Sequence, residues 1–262
     1  MDESLEIPLP GGNVTGAVRV GDTVRRATGP WTPSVHALLA HLQTVGFSAA
    51  PRVLGIDEQG REILTFIDGT PALRPWPSSL RQDSGLFAFA QLLADYHTAA
   101  ASFAPPSGAI WRFASRPPKP GEIIRHGDYG PWNTIWREDK PVGLIDWDFA
   151  EPGPPLLDLA LAAWYAVPLL GERGWQQAGF ERPPAIRRRI EVLCEGYGAS
   201  SVFEVLDAVE AVQRIDRVRM LTLGPQGVEP YAKFLATGER ENLDEQMAWL
   251  AKQRATDPAL HE

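Results

Sequence analysis

The chain has 262 residues, 44% apolar and 22% charged, enough for a sizeable core in one large domain or two lobes. Its net charge of −8 argues against non-specific nucleic-acid binding and is compatible with a cationic ligand. A single cysteine, Cys194, rules out an internal disulfide. The opening MDESLEIPLP has no basic region followed by an apolar run, so no signal peptide is expected. The most apolar stretch, 156–170, contains Asp158 and Pro168 and is too short to span a bilayer. A cytoplasmic protein without a membrane partner is expected.

Residues 5–28 read as strands and turns. LEIPL is followed by PGGNVTG, then AVRV, a Gly21-Asp22 turn and TVRRAT, and a Gly/Asp pair between alternating runs signals a hairpin. The loop at Gly11, Gly12 and Asn13 suits either a plain turn or a cradle of backbone N–H groups over phosphates. A helix follows, with Thr32 as N-cap, Pro33 in the first helical position and Gly46 at its end. Val35, Leu38, Leu39, Leu42 and Val45 form its apolar stripe. From Thr23 to Ile56 there is no Asp or Glu. Residues 51–56 and 62–67 read as strands around a turn at 58–60, and the Pro- and Ser-rich run 70–82 marks a boundary. A long helix over 86–101 and a proline-rich loop over 104–120 come next. Beyond 150, a rigid EPGPP loop leads to a helix opening at Leu156. Helical patterns recur over 185–198, 202–223 and 243–254, with Arg187 to Arg189 on a solvated face and Cys194 in the core.

The chain is organised around 125–149, RHGDYGPWNTIWREDKPVGLIDWDF. Apolar runs at 134–136 and 142–145 flank a polar turn at 138–140, the pattern of a β-hairpin. If Arg137 pairs with Pro141, Asn133 falls opposite Ile145, so Asn133 and Asp146 meet at the hairpin's open end. Asp128 lies on the loop leading in, near the same end. One amide oxygen and two or three carboxylates at one spot suit Mg²⁺, an ion that keeps several waters and commonly holds substrate phosphates.

HGDYGPWN resembles the H-G-D-x-x-x-x-N loop of the aminoglycoside phosphotransferase family, small-molecule kinases related to the protein kinases. LIDWD resembles the metal-binding strand end of that family. The resemblance implies an α+β, bilobal protein-kinase-like fold, with a small β-rich N-lobe over 1–69 and a larger, mostly helical C-lobe over 70–262. It implies Asp128 as catalytic base, Asn133 and Asp146 as Mg²⁺ ligands, and Asp148 as a supporting or second-metal group. His126 would brace the loop, His97 would be structural, and Asp158 would accept backbone hydrogen bonds from the loop. Gly11, Gly12 and Asn13 would cover the phosphates of ATP or GTP. Arg25 would stand where the family carries a phosphate-reaching strand Lys, with Arg26 on the opposite face. Phe66 and Ile67 would meet the nucleotide base, although Phe66 suits plain core packing equally well. The helix Glu that partners that Lys is missing, and His36 and His41 occupy the helix instead.

The implied activity is transfer of the γ-phosphate to a hydroxyl of a small molecule, an aminoglycoside or other antibiotic. Acids at Glu195, Glu204, Asp207, Glu210 and Asp216 could bind ammonium groups of a cationic acceptor or form ordinary solvated faces. The missing helix Glu opens the alternative of a weak or inactive, pseudokinase-like binding or immunity protein.

Overall fold

The computed structural model describes residues 5–9, 16–199 and 201–260. The glycine-rich loop with Gly11, Gly12 and Asn13 lies outside the described residues. The chain opens with β1 (Ile7–Pro8), β2 (Val18–Val20), β3 (Thr23–Ala27), α1 (Thr32–Thr44), β4 (Val53–Ile56) and β5 (Arg61–Thr65). β6 (Thr70–Pro71), the short α2 (Ser78–Arg81) and α3 (Asp83–Ala100) follow, then β7 (Ile123–Arg125), β8 (Thr134–Arg137), β9 (Lys140–Leu144) and β10 (Glu151–Gly153). The remainder is helical: α4 (Leu156–Ala166), α5 (Gly171–Gln177), α6 (Ile186–Tyr197), α7 (Val202–Leu223), α8 (Tyr231–Ala236) and α9 (Glu239–Thr256). The fold is α+β, sheet-rich in its N-terminal region and mostly helical in its C-terminal part. Among the described residues no helix is long and apolar enough to cross a membrane.

Two compact units emerge. One comprises Met1–Leu73 and Leu92–Asp158, the other Arg74–Gln91 and Leu159–Glu262. The first unit holds every strand and keeps the 125–149 stretch with the N-terminal sheet. That sheet is antiparallel in the order β1-β2-β3-β5-β4, and the unit holds two smaller sheets, β6-β8-β9 and β10-β7. Gly21, at φ 57°, turns β2 into β3 so that Val20 pairs with Thr23. Between β4 and β5, Asp57 Oδ1 accepts the N–H groups of Gln59 (3.0 Å) and Arg61 (2.8 Å), which fixes the turn. β3 and β5 then run in register, with Val24 opposite Leu64 and Arg26 opposite Glu62.

Helix α1 corrects the expected start by one position. Thr32 is inside the helix, its Oγ accepting the Gly29 N–H at 2.9 Å, and Trp31 holds the cap position. Val35, Leu38, Leu39 and Leu42 are buried as the stripe requires, while Val45 is exposed beyond the last turn. The helix ends as a Schellman motif, with Gly46 at φ 84° and the Phe47 N–H donating to Leu42 O at 2.9 Å.

The second unit is helical throughout, and two of its helices, α5 and α8, are too short to announce themselves by periodicity. Its interior overturns the solvated reading of Arg189. That side chain is buried and donates to the carbonyls of Leu80 (3.1 Å), Arg81 (2.7 Å) and Ala166 (2.8 Å). Burial without a contacting carboxylate lowers its guanidinium to about 10. Arg187 and Arg188 are surface residues, paired with Glu191 and with Asp83 and Glu195. Cys194 is buried on α6, and burial pushes its thiol up to about 11.

Candidate active site

The site begins at the β8–β9 hairpin. Its two turn residues, Glu138 and Asp139, have φ of 47° and 64°, the primed geometry that matches strand twist. Arg137 pairs with Lys140 rather than Pro141, and Trp136 pairs with Pro141. A bulge between Ile135 and Trp136 then shifts the register, so Ile135 pairs with Gly143 and Thr134 with Leu144. The Ile145 N–H donates to Asn133 O at 2.9 Å. Asn133 and Asp146 therefore reach the same end of the hairpin, by a different register from the one read in the sequence. Asp146 adopts φ 61°, ψ 71°, a left-handed conformation that Asp tolerates, and turns the chain into a short 3₁₀ segment at Trp147–Phe149.

Asp128 and Asn133 lock to each other. The Asn133 amide donates to Asp128 Oδ2 (2.7 Å) and to the Asp128 carbonyl (2.9 Å), and the Trp132 indole N–H also approaches Oδ2 (3.3 Å). With both hydrogens on Asp128, the amide oxygen is the atom that Asn133 has to offer a cation.

Beneath the loop lies a fully buried brace. The Asp158 carboxylate accepts the backbone N–H groups of His126 (2.6 Å) and Gly127 (3.0 Å), as expected for the loop support. It also meets His97 Nε2 (3.2 Å) and Arg125 Nη1 (3.3 Å), and Arg125 reaches Glu151 as well. Burial pushes this carboxyl up, but the His97 hydrogen bond and the Arg125 charge outweigh it and hold Asp158 at about 2. His126 is a neutral strut. Its Nε2–H donates to Ile145 O at 3.0 Å, and its Nδ1 accepts the Asp128 N–H at 3.3 Å. Burial lowers its pKa, which keeps it uncharged. Gly127 has φ 82°, and a Cβ there would collide with the Phe149 carbonyl, so only glycine fits between His126 and Asp128.

The basic strand residue at the site is Arg26, which corrects the choice of Arg25. Arg25 is turned the other way, with Nη1 on Thr23 Oγ (2.5 Å) and Nε 3.9 Å from Asp57. Arg26 contacts Asp146 (Nη1 to Oδ1, 3.2 Å), Asp148 and Glu62 (Nε to Oε1, 2.8 Å). Burial opposes its charge, but Asp146, Asp148 and Glu62 outweigh that and raise its pKa. Parity in β3 was the available signal. Val24 and Arg26 share a face, and that face lines the cleft. The acid on Arg26 Nε comes from the neighbouring strand and not from α1: Glu62 lies directly across from it. His36 of α1 joins through Nε2, 2.7 Å from Glu62 Oε2.

Asp148 is buried, with Arg26 on one oxygen and Arg112 Nη1 3.5 Å from the other. Arginine thus occupies the group read as a further metal ligand. Burial raises its pKa, and neighbouring Asp146 adds to the rise against the pull of Arg26. Among the described residues no group of three or more His, Cys, Asp and Glu side chains is arranged to hold a metal. The residues that could do so are Asn133 and Asp146, hard oxygen donors too few for a closed cage but enough for Mg²⁺ that keeps waters or phosphate oxygens.

These groups edge a cleft of about 380 Å³ within the first unit. Val24, Leu64, Ile135 and Ile145 supply apolar walls, while Arg26, Asn133 and Asp146 supply a polar end. Phe66 and Ile67 both line it, the Phe66 N–H donating to Asp22 O at 2.9 Å and Arg19 stacking on the Phe66 ring at 3.8 Å. The cleft's mixed lining fits a ligand with one flat apolar part and one anionic part.

The second unit has its own pocket of about 580 Å³. Asp216, Glu239, Glu241 and Glu245 line it together with Arg74, Arg173 and the stacked rings of Trp164 and Tyr165. Of the acids singled out in the sequence, Asp216 lines this pocket. Glu195 pairs with Arg188, and Asp207 and Glu210 pair with Arg254. Glu204 sits in the first turn of α7, where its N–H donates to the Ser201 cap.

Residues 108–189 match the family described as the phosphotransferase enzyme family. A choline/ethanolamine kinase family protein from Mesorhizobium loti has the same fold, with a TM-score of 0.60 at 15% identity, covering 98% of this chain and 90% of that one. The GDP and kanamycin complex of APH(2")-IIia gives 0.55 at 12% identity, covering 98% and 95%. The fold is therefore kinase-like, as in these structures. The chain belongs to the phosphotransferase enzyme family. It is also 38% identical over 199 residues to a trifolitoxin immunity protein of Rhizobium leguminosarum bv. trifolii, covering 74% of this chain and 75% of the relative.

Proposed function

We propose that this protein is a phosphotransferase that moves the γ-phosphate of ATP or GTP to a hydroxyl of a small molecule. The observation that carries this reading is the juxtaposition of an apolar cleft with Arg26, Asn133 and Asp146 at its polar end and Asp128 hydrogen-bonded to Asn133. The cleft's aliphatic walls suit a nucleobase, and the Arg26 guanidinium suits its phosphates. Asn133 and Asp146 would hold Mg²⁺, which when bound neutralises phosphate charge. Asp128 would accept the acceptor's hydroxyl proton as that oxygen bonds to phosphorus and the nucleoside diphosphate leaves. His126 and Asp158 would hold the loop so that Asp128 keeps its aim. A small lobe over 1–69 covering the nucleotide, and a larger one over 70–262 carrying the acceptor, complete the proposal. The carboxylates of the second unit's pocket outnumber its two guanidiniums, which by itself suits a cationic ligand.

The relative's name supports a second reading, immunity to a toxin, achieved either by phosphorylating it or by binding it without transfer. One experiment separates the possibilities. Thermal stabilisation by ATP and GTP is measured with and without Mg²⁺, for the parent and for Asp146→Ala and Asp128→Ala. Mg²⁺-dependent stabilisation is expected in the parent, lost in Asp146→Ala and kept in Asp128→Ala. Asp128→Ala should lower phosphate transfer by about 10³-fold or more. No response to either nucleotide would refute the transferase reading. Protection against a toxin that survives Asp128→Ala would favour binding alone.

A further inference from the structure

Arg26, Glu62 and His36 form a buried relay of contacts at the cleft. The side chains of Arg26 and Glu62 are 10% and 4% exposed. Glu62 divides its carboxylate, Oε1 going to Arg26 Nε at 2.8 Å and Oε2 to His36 Nε2 at 2.7 Å. The Nη atoms of Arg26 face Asp146 and Asp148. One edge of the guanidinium is thus anchored in the sheet and the other is presented to the polar end of the cleft. Arg26 and Glu62 are direct register partners on β3 and β5, so backbone ladder bonds set their separation. Helix α1 has no acid of its own and touches this pair through His36.

We propose that Glu62 is the positioning residue for Arg26: it presets the phosphate-binding cation from within the sheet, with His36 of helix α1 bracing its other oxygen. The inference rests on the phosphotransferase reading. Three carboxylates surround one guanidinium here. A cation arriving at Asp146 would compete with Arg26 for that oxygen. Arg26 Nε faces Glu62 Oε1 at 2.8 Å as an ion pair rather than an aligned hydrogen bond, and that charge contact stays in place when Arg26 releases Asp146. Without Glu62 the long side chain keeps only its Nη contacts, to Asp146, which the metal needs, and to Asp148.

The test is equilibrium binding of a nucleoside triphosphate and of the matching nucleoside, by calorimetry with Mg²⁺. ATP or GTP is used, whichever the parent binds. Glu62→Gln should weaken triphosphate binding about tenfold or more and leave nucleoside binding within about twofold, because the apolar walls are untouched. In an Arg26→Met background the same change should add nothing, since the group it positions is gone. His36→Glu combined with Glu62→Gln should recover triphosphate affinity by returning an acid to the pair from the helix side. A pair serving only the sheet would lose nucleoside and triphosphate affinity together, or neither. Either outcome overturns the inference while leaving the transferase reading intact. A parent that binds no nucleotide overturns both. If Glu62→Gln gives no cooperative melt, Glu62→Asp carries the same comparison with the same outcomes.

Discussion

Asp158 and Asp148 are both buried carboxylates of the first unit, and both touch arginine. Their environments drive them in opposite directions. Asp158 receives two backbone N–H groups, His97 and Arg125, and is held at about 2. Asp148 shares Arg26 with two other acids, Asp146 and Glu62, and its pKa rises. The first is a brace whose hydrogen bonds all favour the charged form. The second belongs to a cluster in which Arg26 is shared among three acids and Arg112 stands 3.5 Å from the other Asp148 oxygen. Burial alone decides neither case, because the partners already in place decide whether the charge is satisfied.

The largest expected effect tests the brace. Asp158→Ala should cost about 3–5 kcal/mol in urea unfolding, since it strands two buried loop amides and His97 and leaves Arg125 with Glu151 alone of its two acids. Asp148→Asn keeps the volume and relieves repulsion from Asp146, so it should change stability by less than about 1 kcal/mol. The reverse order would break the comparison.

Acidification sharpens it. Asp158 binds its proton at about 2 in the folded state against an ordinary 3.8, so its contribution is complete above 3.8 and disappears as pH falls towards 2. That contribution is roughly 2 kcal/mol. His126 is lowered from 6.5 by burial, so its share is complete above 6.5 and declines as pH falls through its folded value. Asp148, being raised, works the other way, and its protonation relieves the fold. Stability measured against pH should therefore lose its lowest limb in Asp158→Asn and keep it in Asp148→Asn.

The smallest effect is a control at the tip of the β8–β9 hairpin, which precedes both carboxylates in the chain. Asp139 sits at φ 64°, and Asp139→Gly should stabilise by up to about 1 kcal/mol. It should leave the acid limb unchanged. A shifted acid limb would show that the hairpin tip and the brace are coupled.

The central hairpin was legible because its signals are local. Two apolar runs and a polar turn fix the pairing, and the bulge that alters the register leaves Asn133 beside Ile145. The support from Asp158 followed from the family resemblance and is present as hydrogen bonds. Arg26 was missed because a strand of period two announces two faces without saying which is inside. The buried Arg189 was missed for a related reason: three basic residues in a row look solvated until one of them meets three carbonyls.

The sequence by itself determined the α+β character, the hairpin and the set of groups that converge at its open end, because these depend on neighbours a few positions apart. Only the tertiary structure decided that Glu62 is the acid that meets Arg26 Nε. Arg26 and Glu62 meet across β3 and β5, and a connection containing α1 and β4 separates them in sequence. Their pairing depends on the register in which two distant strands align, and that register is fixed by the packing of the whole unit.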